Sequence, residues 1–373
     1  MKRIAVFLLL IFLFLCSCLP VYASLPPEYS DLLEGSGASE LADELPKETR
    51  EQLEESGISI ESTEIDISRI IESILKSAKK ESSQPLKTGA VLLGAVVLAA
   101  LAGGFKNALS SSPAAETVNC AVSVFCAVTV ITPVLRFFST AGKAITAANG
   151  FEKCFIPVFA AVLVSAGQTA GAAGSAAGIL TASELSSSIL SGVILPFSKV
   201  LAGVSACSCA IGGGVDSLIK GMEKCVKWIL GFLSSVLVGA LTISGIVSSG
   251  VDTVAGKTMK FVVSGTVPVI GGSLSEALTS VKSCIGLLKN SVGAFGIVAC
   301  AYIFLPSVIQ GAAWVTVLSL CAGASEMLCA ESTAKVLRAF SGIVSLVLSA
   351  CILMMLVLII SAAVIVIVGK GTN

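Results

Sequence analysis

The sequence predicts an all-α, polytopic integral membrane protein with about seven to eight transmembrane helices and a small exported helical arm at its N-terminus. Three observations support this fold class. Of the 373 residues, 55% are hydrophobic and 13% are charged, whereas a soluble domain carries about 25% charged residues. Apolar runs long enough to cross a bilayer follow one another from residue 86 onward. The chain contains no histidine, which removes histidine-dependent catalytic triads and imidazole metal sites.

The charges are divided unevenly along the chain. The 24 basic and 24 acidic residues give a formal net charge of zero. Residues 24–85 hold 15 of the acidic residues and 6 of the basic ones, whereas residues 86–373 hold 9 acidic and 16 basic residues. This pattern indicates an acidic polar segment followed by a sparsely charged membrane domain. No basic surface indicates nucleic acid as a partner.

Residues 1–23 have the pattern of a secretory signal peptide. Lys2 and Arg3 form the positively charged region, a 12-residue apolar run follows, and small residues ending at Ala23 suit cleavage. The apolar run is shorter than the roughly 20 residues of a spanning helix. Two alternatives remain open: an uncleaved signal anchor, and a lipoprotein with Cys18 as the lipid acceptor. All three place the next segment outside the cytoplasm.

Residues 24–85 predict the exported acidic arm. Pro46 before Lys47, and Gly57 after Ser56, delimit a short helix. A second helix is predicted by an apolar stripe at helical spacing, which consists of Ile67, Ile70, Ile71, Ile74, Leu75 and Ala78. We expect either a helical hairpin that lies on the membrane or on the rest of the chain, or a docking surface for a partner outside the membrane.

Residues 86–373 predict the multispanning membrane domain. The apolar runs place spans near residues 88–109, 118–138, 155–177, 189–211, 228–249, 291–309, 312–330 and 340–368. Pro306 leaves open whether the two runs before residue 330 are full spans or one broken hairpin. The basic residues divide equally between the two sides of such a topology. The signal sequence, rather than the positive-inside rule, therefore indicates the side of the arm.

Two local features provide candidate packing or conduit positions. Gly167, Gly171, Gly174 and Gly178 share one helix face, and the missing side chains allow another backbone to approach closely. This face predicts packing within the chain or, alternatively, a subunit interface or a pore-side helix. Lys199 lies inside an apolar run, so it either faces a conduit or a buried ion pair, or extends to the membrane interface.

Residues 251–290 form a segment that is too polar for a span and too apolar for a linker. We expect an amphipathic helix in the plane of the membrane interface, or a re-entrant element. The candidate packing or conduit positions of this segment are Lys257, Lys260, Pro268, Gly271, Lys289 and Asn290.

The same segment resembles a known family. The pairs Gly256-Lys257 and Lys260-Phe261, with the runs 267–271 and 289–293, resemble the stage III sporulation protein AE family of endospore-forming bacteria. The resemblance implies a multispanning protein of the mother-cell membrane around the forespore, with the arm in the intermembrane space. It also implies that the protein belongs to a transenvelope, secretion-like channel complex with the other stage III A sporulation membrane proteins and SpoIIQ. That complex is needed for late forespore gene expression.

The sequence favours a non-enzymatic component of such a complex over an autonomous secondary transporter or permease. Transporters typically contain internal repeats and paired broken helices, and no repeat relates residues 88–249 to residues 291–368. We identify no candidate catalytic, cofactor-binding or metal-binding residues. The 13 cysteines lie mostly in apolar runs, which predicts small hydrophobic packing residues. Apart from the complex, the expected partner is the lipid bilayer.

Overall fold

A computed structural model describes residues 38–59, 67–107, 113–165, 169–211, 217–237, 239–240, 271–328 and 330–368. These residues form helices and turns, with no strand among them, so the all-α prediction is confirmed for this part of the chain. After a 3₁₀ turn at Ala38–Ala42, the helices are α1 (Lys47–Glu55), α2 (Ile67–Asn107), α3 (Pro113–Ser165), α4 (Thr169–Ile189), α5 (Leu195–Ile211), α6 (217–237), α7 (Gly271–Met327) and α8 (Glu331–Val368). A π-helical turn at Leu190–Ile194 joins α4 to α5.

The centre of the bundle is the antiparallel hairpin of α7 and α8. The hydroxyls of Ser319 and Ser341 hydrogen-bond across it at 2.9 Å. Close to the connecting turn, the Arg338 guanidinium donates to Glu326 at 2.5 Å. Almost every apolar side chain of α8 up to Ala362 is buried. We name the end at residues 328–330 the turn end, and the opposite end of the hairpin the arm end.

Helix α3 packs antiparallel to α7, and two glycines allow the close approach. A Cβ atom built on Gly296 would meet the ring of Phe155, and one built on Gly311 would lie 2.8 Å from Cζ of Phe137. Small residues at such contacts let the helices lie close together. Phe137 of α3 thus faces Gly311 of α7, and Phe155, which is nearer the arm end, faces Gly296, as in an antiparallel pair.

Helix α2 runs parallel to α7 on another side of the hairpin. A Cβ atom built on Gly89 would meet Val317, and the Cys321 thiol donates to the Gly89 carbonyl oxygen at 3.7 Å. Pro85 lies inside α2, and the helix passes without interruption from the predicted arm into the predicted membrane domain.

Helices α4 and α5 run antiparallel to α3, and α6 packs on α8. A Cβ atom built on Gly142 would lie 3.2 Å from the Leu195 side chain, whereas one built on Gly342 would lie 2.7 Å from Oε2 of Glu223. Burial raises the pKa of the Glu223 carboxyl above its usual value, and Lys227, at 3.5 Å, partly offsets this effect.

Four helical segments in the described part of the chain are long and apolar enough to cross a membrane. They are Cys120–Val162, Ala176–Ser208, Ser291–Met327 and Glu331–Ala362. This is fewer than the predicted seven to eight, and two predicted interruptions are wrong. Residues 118–138 and 155–177 do not form separate spans, since α3 is continuous to Ser165, and α7 passes through Pro306 and residues 309–312.

Helix α3 continues through the predicted break because the residues there bury one apolar face against the bundle. Ala141, Ala144, Ile145, Ala148 and Phe151 are all buried and follow helical spacing. The polar residues among them occupy mainly the other faces of the same helix. Residues 139–154 are therefore more polar than the apolar runs on either side, but their backbone stays helical.

The described part of the arm agrees with one prediction and corrects another. Helix α1 begins after Pro46, and Gly57 adopts a left-handed conformation with φ of 70°, which confirms the predicted helix and its stop. The predicted apolar stripe of the next helix matches the buried face only in part, since Ile70 and Ile74 are half-buried. Leu75 is 64% exposed, whereas Ser73 and Ser77 are buried. The signal-peptide prediction lies outside the described residues.

Candidate functional site

The structure places only some of the predicted site residues. Gly171, Gly174 and Gly178 lie on α4, which packs on α3 and α8. Gly271 is the first residue of α7, and Lys289 and Asn290 lie farther along the same helix. The predictions for Gly167, Lys257, Lys260 and Pro268 lie outside the described residues.

Lys199 lines a cleft between α3, the π-helical turn and α5. The cleft has a volume of about 530 Å³, and we call it the lysine cleft. Its lining residues are Phe138, Ser139, Gly142, Lys143, Thr146, Ala147, Ser191, Leu195, Pro196 and Lys199. Lys199 is exposed on α5. No ion pair of Lys199 is formed among the described residues, and the role of Lys199 stays a prediction.

The electrostatic character of the lysine cleft is positive. Lys143 and Lys199 both line it, and its lining includes no acidic side chain. Neither lysine belongs to an ion pair among the described residues. The π-helical turn, which includes Ser191, forms one wall. Such turns shift the direction of the following side chains and are frequent at functional sites.

The position of the cleft along α3 follows from the charges. Residues 117–135 carry no charge and end at Arg136. A helix of this length is roughly 28 Å long, close to the hydrocarbon thickness of a bilayer. Residues 88–105 of α2 are also free of charge and approach the same turn end. The lysine cleft lies just beyond Arg136, on the arm side of this charge-free interval.

Large apolar side chains are exposed along these charge-free intervals. We call this surface the apolar belt, and it consists of Val91, Leu93, Val97, Leu98, Leu101, Val124, Phe125 and Val128. So many exposed large apolar side chains on two helices are unusual for a soluble monomer and suit contact with lipid.

A second polar site lies near the arm end, inside the bundle. Glu152 of α3 is only 3% exposed. The Ser183 hydroxyl of α4 donates a hydrogen bond to its Oε2 atom. Ser361 of α8 lies close to the same carboxyl group, while its own hydroxyl donates to the Val357 carbonyl oxygen at 2.7 Å. The Oε1 atom is buried without a hydrogen-bond partner among the described residues. Three helices therefore meet at one acidic side chain.

A polar rim surrounds this acid. The Ser183 hydroxyl also lies 3.3 Å from Oδ1 of Asn149, whose amide donates to Glu184 at 3.1 Å. Lys153 and Glu184 form an ion pair at 2.7 Å, with both side chains about half exposed. Because Glu184 already pairs with Lys153, Glu152 has no described cation to balance it.

The arm contacts the bundle at the same end. The hydroxyls of Ser56 and Tyr302 hydrogen-bond at 2.9 Å in a buried position. Lys76 of α2 pairs with Glu55 at 2.8 Å, and Leu53 is buried in the common core. The acidic side chains on the opposite face of α1, Glu48, Glu51 and Glu54, are exposed. The arm thus packs on the membrane domain and presents a negatively charged surface.

Sequence reasoning missed Lys143 and Glu152. A signal for Glu152 existed, because Ala148, Phe151 and Phe155 are apolar at helical spacing around it. An acid on an apolar helix face is a recognised sign of a functional or polar packing site. The described residues contain no group of three or more cysteine or acidic side chains placed to hold a metal ion.

The long apolar helices and the exposed apolar belt indicate a helical integral membrane protein. The family model of stage III sporulation protein AE matches residues 49–369. The chain therefore belongs to the stage III sporulation protein AE family, which gives it a role in sporulation. Stage III sporulation protein AE of Bacillus subtilis (strain 168) is 26% identical over 160 residues, which cover 42% of this chain and 40% of that relative. No solved structure matches the chain.

Proposed function

We propose that this chain is a non-enzymatic membrane component of the stage III A transenvelope complex that links mother cell and forespore. Its partners would be the other stage III A membrane proteins and SpoIIQ, and its place the mother-cell membrane around the forespore. The observation that carries the proposal is the family match over most of the chain. The absence of histidine from the sequence also supports a role without proton-transfer chemistry by imidazole.

The arm supplies the interaction surface in this proposal. Helix α1 is fixed to the bundle by buried contacts, so its exposed acidic face has a fixed orientation on the bundle. In this proposal that face points into the intermembrane space. A rigid charged surface favours complementary, basic partner domains and excludes partners of like charge. Deleting the arm would also remove Leu41, Leu45 and Leu53, which are buried, and would expose the apolar surface of the bundle that they cover. Surface substitutions are therefore the sharper test.

The test is a tagged pulldown from sporulating cells with a charge-reversed arm. We expect the wild-type chain to recover sporulation membrane proteins, and Glu48→Lys combined with Glu51→Lys and Glu54→Lys to lose them at an unchanged protein level. Glu331→Lys, at the turn end, is the control and should keep the partners. Recovery of no sporulation membrane protein by the wild-type chain would reject membership of the complex.

One observation favours a second candidate, an autonomous secondary transporter. Glu152 is buried in the bundle and its Oε1 atom has no hydrogen-bond partner among the described residues. It lies roughly 24 Å beyond Arg136 along α3, where an ion that leaves the charge-free interval toward the arm end would pass it, and buried acids of this kind commonly mark ion pathways. Purified chain in sealed vesicles would then carry out cation-dependent uptake that Glu152→Gln abolishes. Under the channel-component proposal, the chain alone produces no uptake.

A further inference from the structure

We propose that the lysine cleft binds the phosphate group of an anionic phospholipid through Lys143 and Lys199. The acyl chains of that lipid would lie along the face of α3 that continues into the apolar belt. The inference concerns the contact between this chain and its membrane, and it does not depend on the sporulation complex.

Charge is the first argument. Lys143 and Lys199 line a cleft whose lining includes no acidic residue, and neither lysine forms an ion pair among the described residues. Ser139 lines the same cleft and adds a hydroxyl that can donate to a phosphate oxygen. Two lysines that line one cleft without a counter-charge repel each other, and an anion bound between them removes this repulsion.

Depth in the membrane is the second argument. Arg136 ends the charge-free interval that matches the hydrocarbon thickness, and Ser139 follows less than one helical turn later. The headgroup region on each side of a bilayer is roughly 5–8 Å deep. Lys143 lies about 10 Å beyond Arg136 along the helix axis, and its long side chain can extend back toward the phosphate layer.

The shape of α3 is the third argument. Val128, Ser139 and Thr146 are separated by 11 and 7 residues, which places them on one face of the helix. The apolar part of this face is exposed at Val128, and the polar part lines the cleft. A single helix face therefore presents an apolar strip and then a cationic cleft, in the order of a lipid tail and its headgroup. The cleft volume of about 530 Å³ is also in the range of ligand sites.

The experiment measures lipid binding to the full chain, purified in detergent and delipidated, by native mass spectrometry. The probes are phosphatidylglycerol, a diacylglycerol with the same acyl chains, and soluble glycerol phosphate. We expect phosphatidylglycerol to bind and the diacylglycerol, which lacks the phosphate, to bind much more weakly. Lys143→Gln combined with Lys199→Gln should weaken phosphatidylglycerol binding roughly 30-fold.

The matched control removes two exposed lysines elsewhere. Lys79→Gln combined with Lys80→Gln, on α2, makes the same change in net charge and should alter binding less than about twofold. Equal binding by the two double variants would overturn the proposal. Displacement of phosphatidylglycerol by equal concentrations of glycerol phosphate would overturn the lipid assignment in favour of a soluble phosphate ligand. If the variant with Lys143→Gln and Lys199→Gln fails to fold, two other variants test the proposal. The variant with Lys143→Arg and Lys199→Arg must retain phosphatidylglycerol binding, and Lys199→Gln alone must weaken it.

Discussion

Replacing Gly296 by alanine should destabilise the bundle, because the new methyl group would overlap the ring of Phe155. Even the farthest of the three nearest ring atoms, Cε1, would lie only 3.0 Å from the added Cβ atom. The ring has little freedom to move aside. It is 3% exposed and stacks between Phe151 and Phe159, with centroid distances of 5.6 Å to each. The backbone of α7 must therefore shift away from α3.

The magnitude follows from two opposing effects. Overpacking of a close-packed core costs about 1–3 kcal/mol, and alanine gains about 1 kcal/mol over glycine in a helix interior. Since the overlap involves a clamped ring, the cost should lie in the upper part of its range, which leaves a net loss of about 1–2 kcal/mol. For a large domain this corresponds to a fall of roughly 2–8 °C in Tm.

Thermal unfolding in detergent, followed by the loss of the monodisperse size-exclusion peak, measures this effect. Gly323→Ala on the same helix is the control, because a Cβ atom there meets nothing within 4 Å. It should leave the Tm unchanged or raise it slightly. Adding Phe155→Leu to Gly296→Ala should recover part of the loss, since the smaller side chain makes room for the methyl group. If Gly296→Ala and Gly323→Ala have the same Tm, the close contact between α3 and α7 is wrong.

Three further outcomes follow from contacts outside this interface. Glu152→Gln should keep the stability of the wild-type chain, whereas Glu152→Ala should lower the free energy of unfolding by about 2 kcal/mol or more, because it leaves a cavity and unpaired hydroxyls. Equal Tm values for the two variants would contradict this expectation. A double-mutant cycle with Ser56→Ala and Tyr302→Phe should give a coupling of about 1 kcal/mol, and zero coupling would argue against arm docking. Glu223→Gln should raise the Tm at alkaline pH. Because the pKa of Glu223 is raised in the folded chain, this gain should fade as the pH falls through that pKa, and a pH-independent gain would reject the explanation.

The sequence contains enough information for the helical class and for local boundaries. Pro46 and Gly57 act through their own backbone preferences, so the limits of α1 could be predicted without tertiary structure. The buried face of α2 could be predicted only in part. Ile71 and Leu75 are exposed while Ser73 is buried, since the buried face depends on the position of α7 and the arm rather than on the hydropathy of α2 alone.

The residues of the candidate sites were harder to predict from the sequence than the helical class and the limits of α1. Lys199 is conspicuous because it interrupts an apolar run, but the sequence does not indicate that Lys143, 56 positions earlier, lines the same cleft. Glu152 was hidden for a different reason. It lies beside Lys153 in a polar stretch, which suggests a solvated break, whereas the continuous helix directs the two neighbours to different surroundings. Helix continuity decides which of two adjacent charges becomes buried.

The described residues contain fewer candidate spans than the sequence predicts, because apolar runs have two possible causes. Residues 291–309 satisfy the hydropathy of a span, yet much of this run is buried by protein: Phe304 is completely buried, Gly296 contacts Phe155, and Tyr302 bonds to the arm. A run can therefore be apolar because it forms the interior of a long helical bundle. At 53 residues, α3 is roughly 80 Å long, more than twice the hydrocarbon thickness. One part of such a helix meets lipid while the rest packs against protein. The charges at Arg136 and Lys143 mark this transition better than hydropathy does.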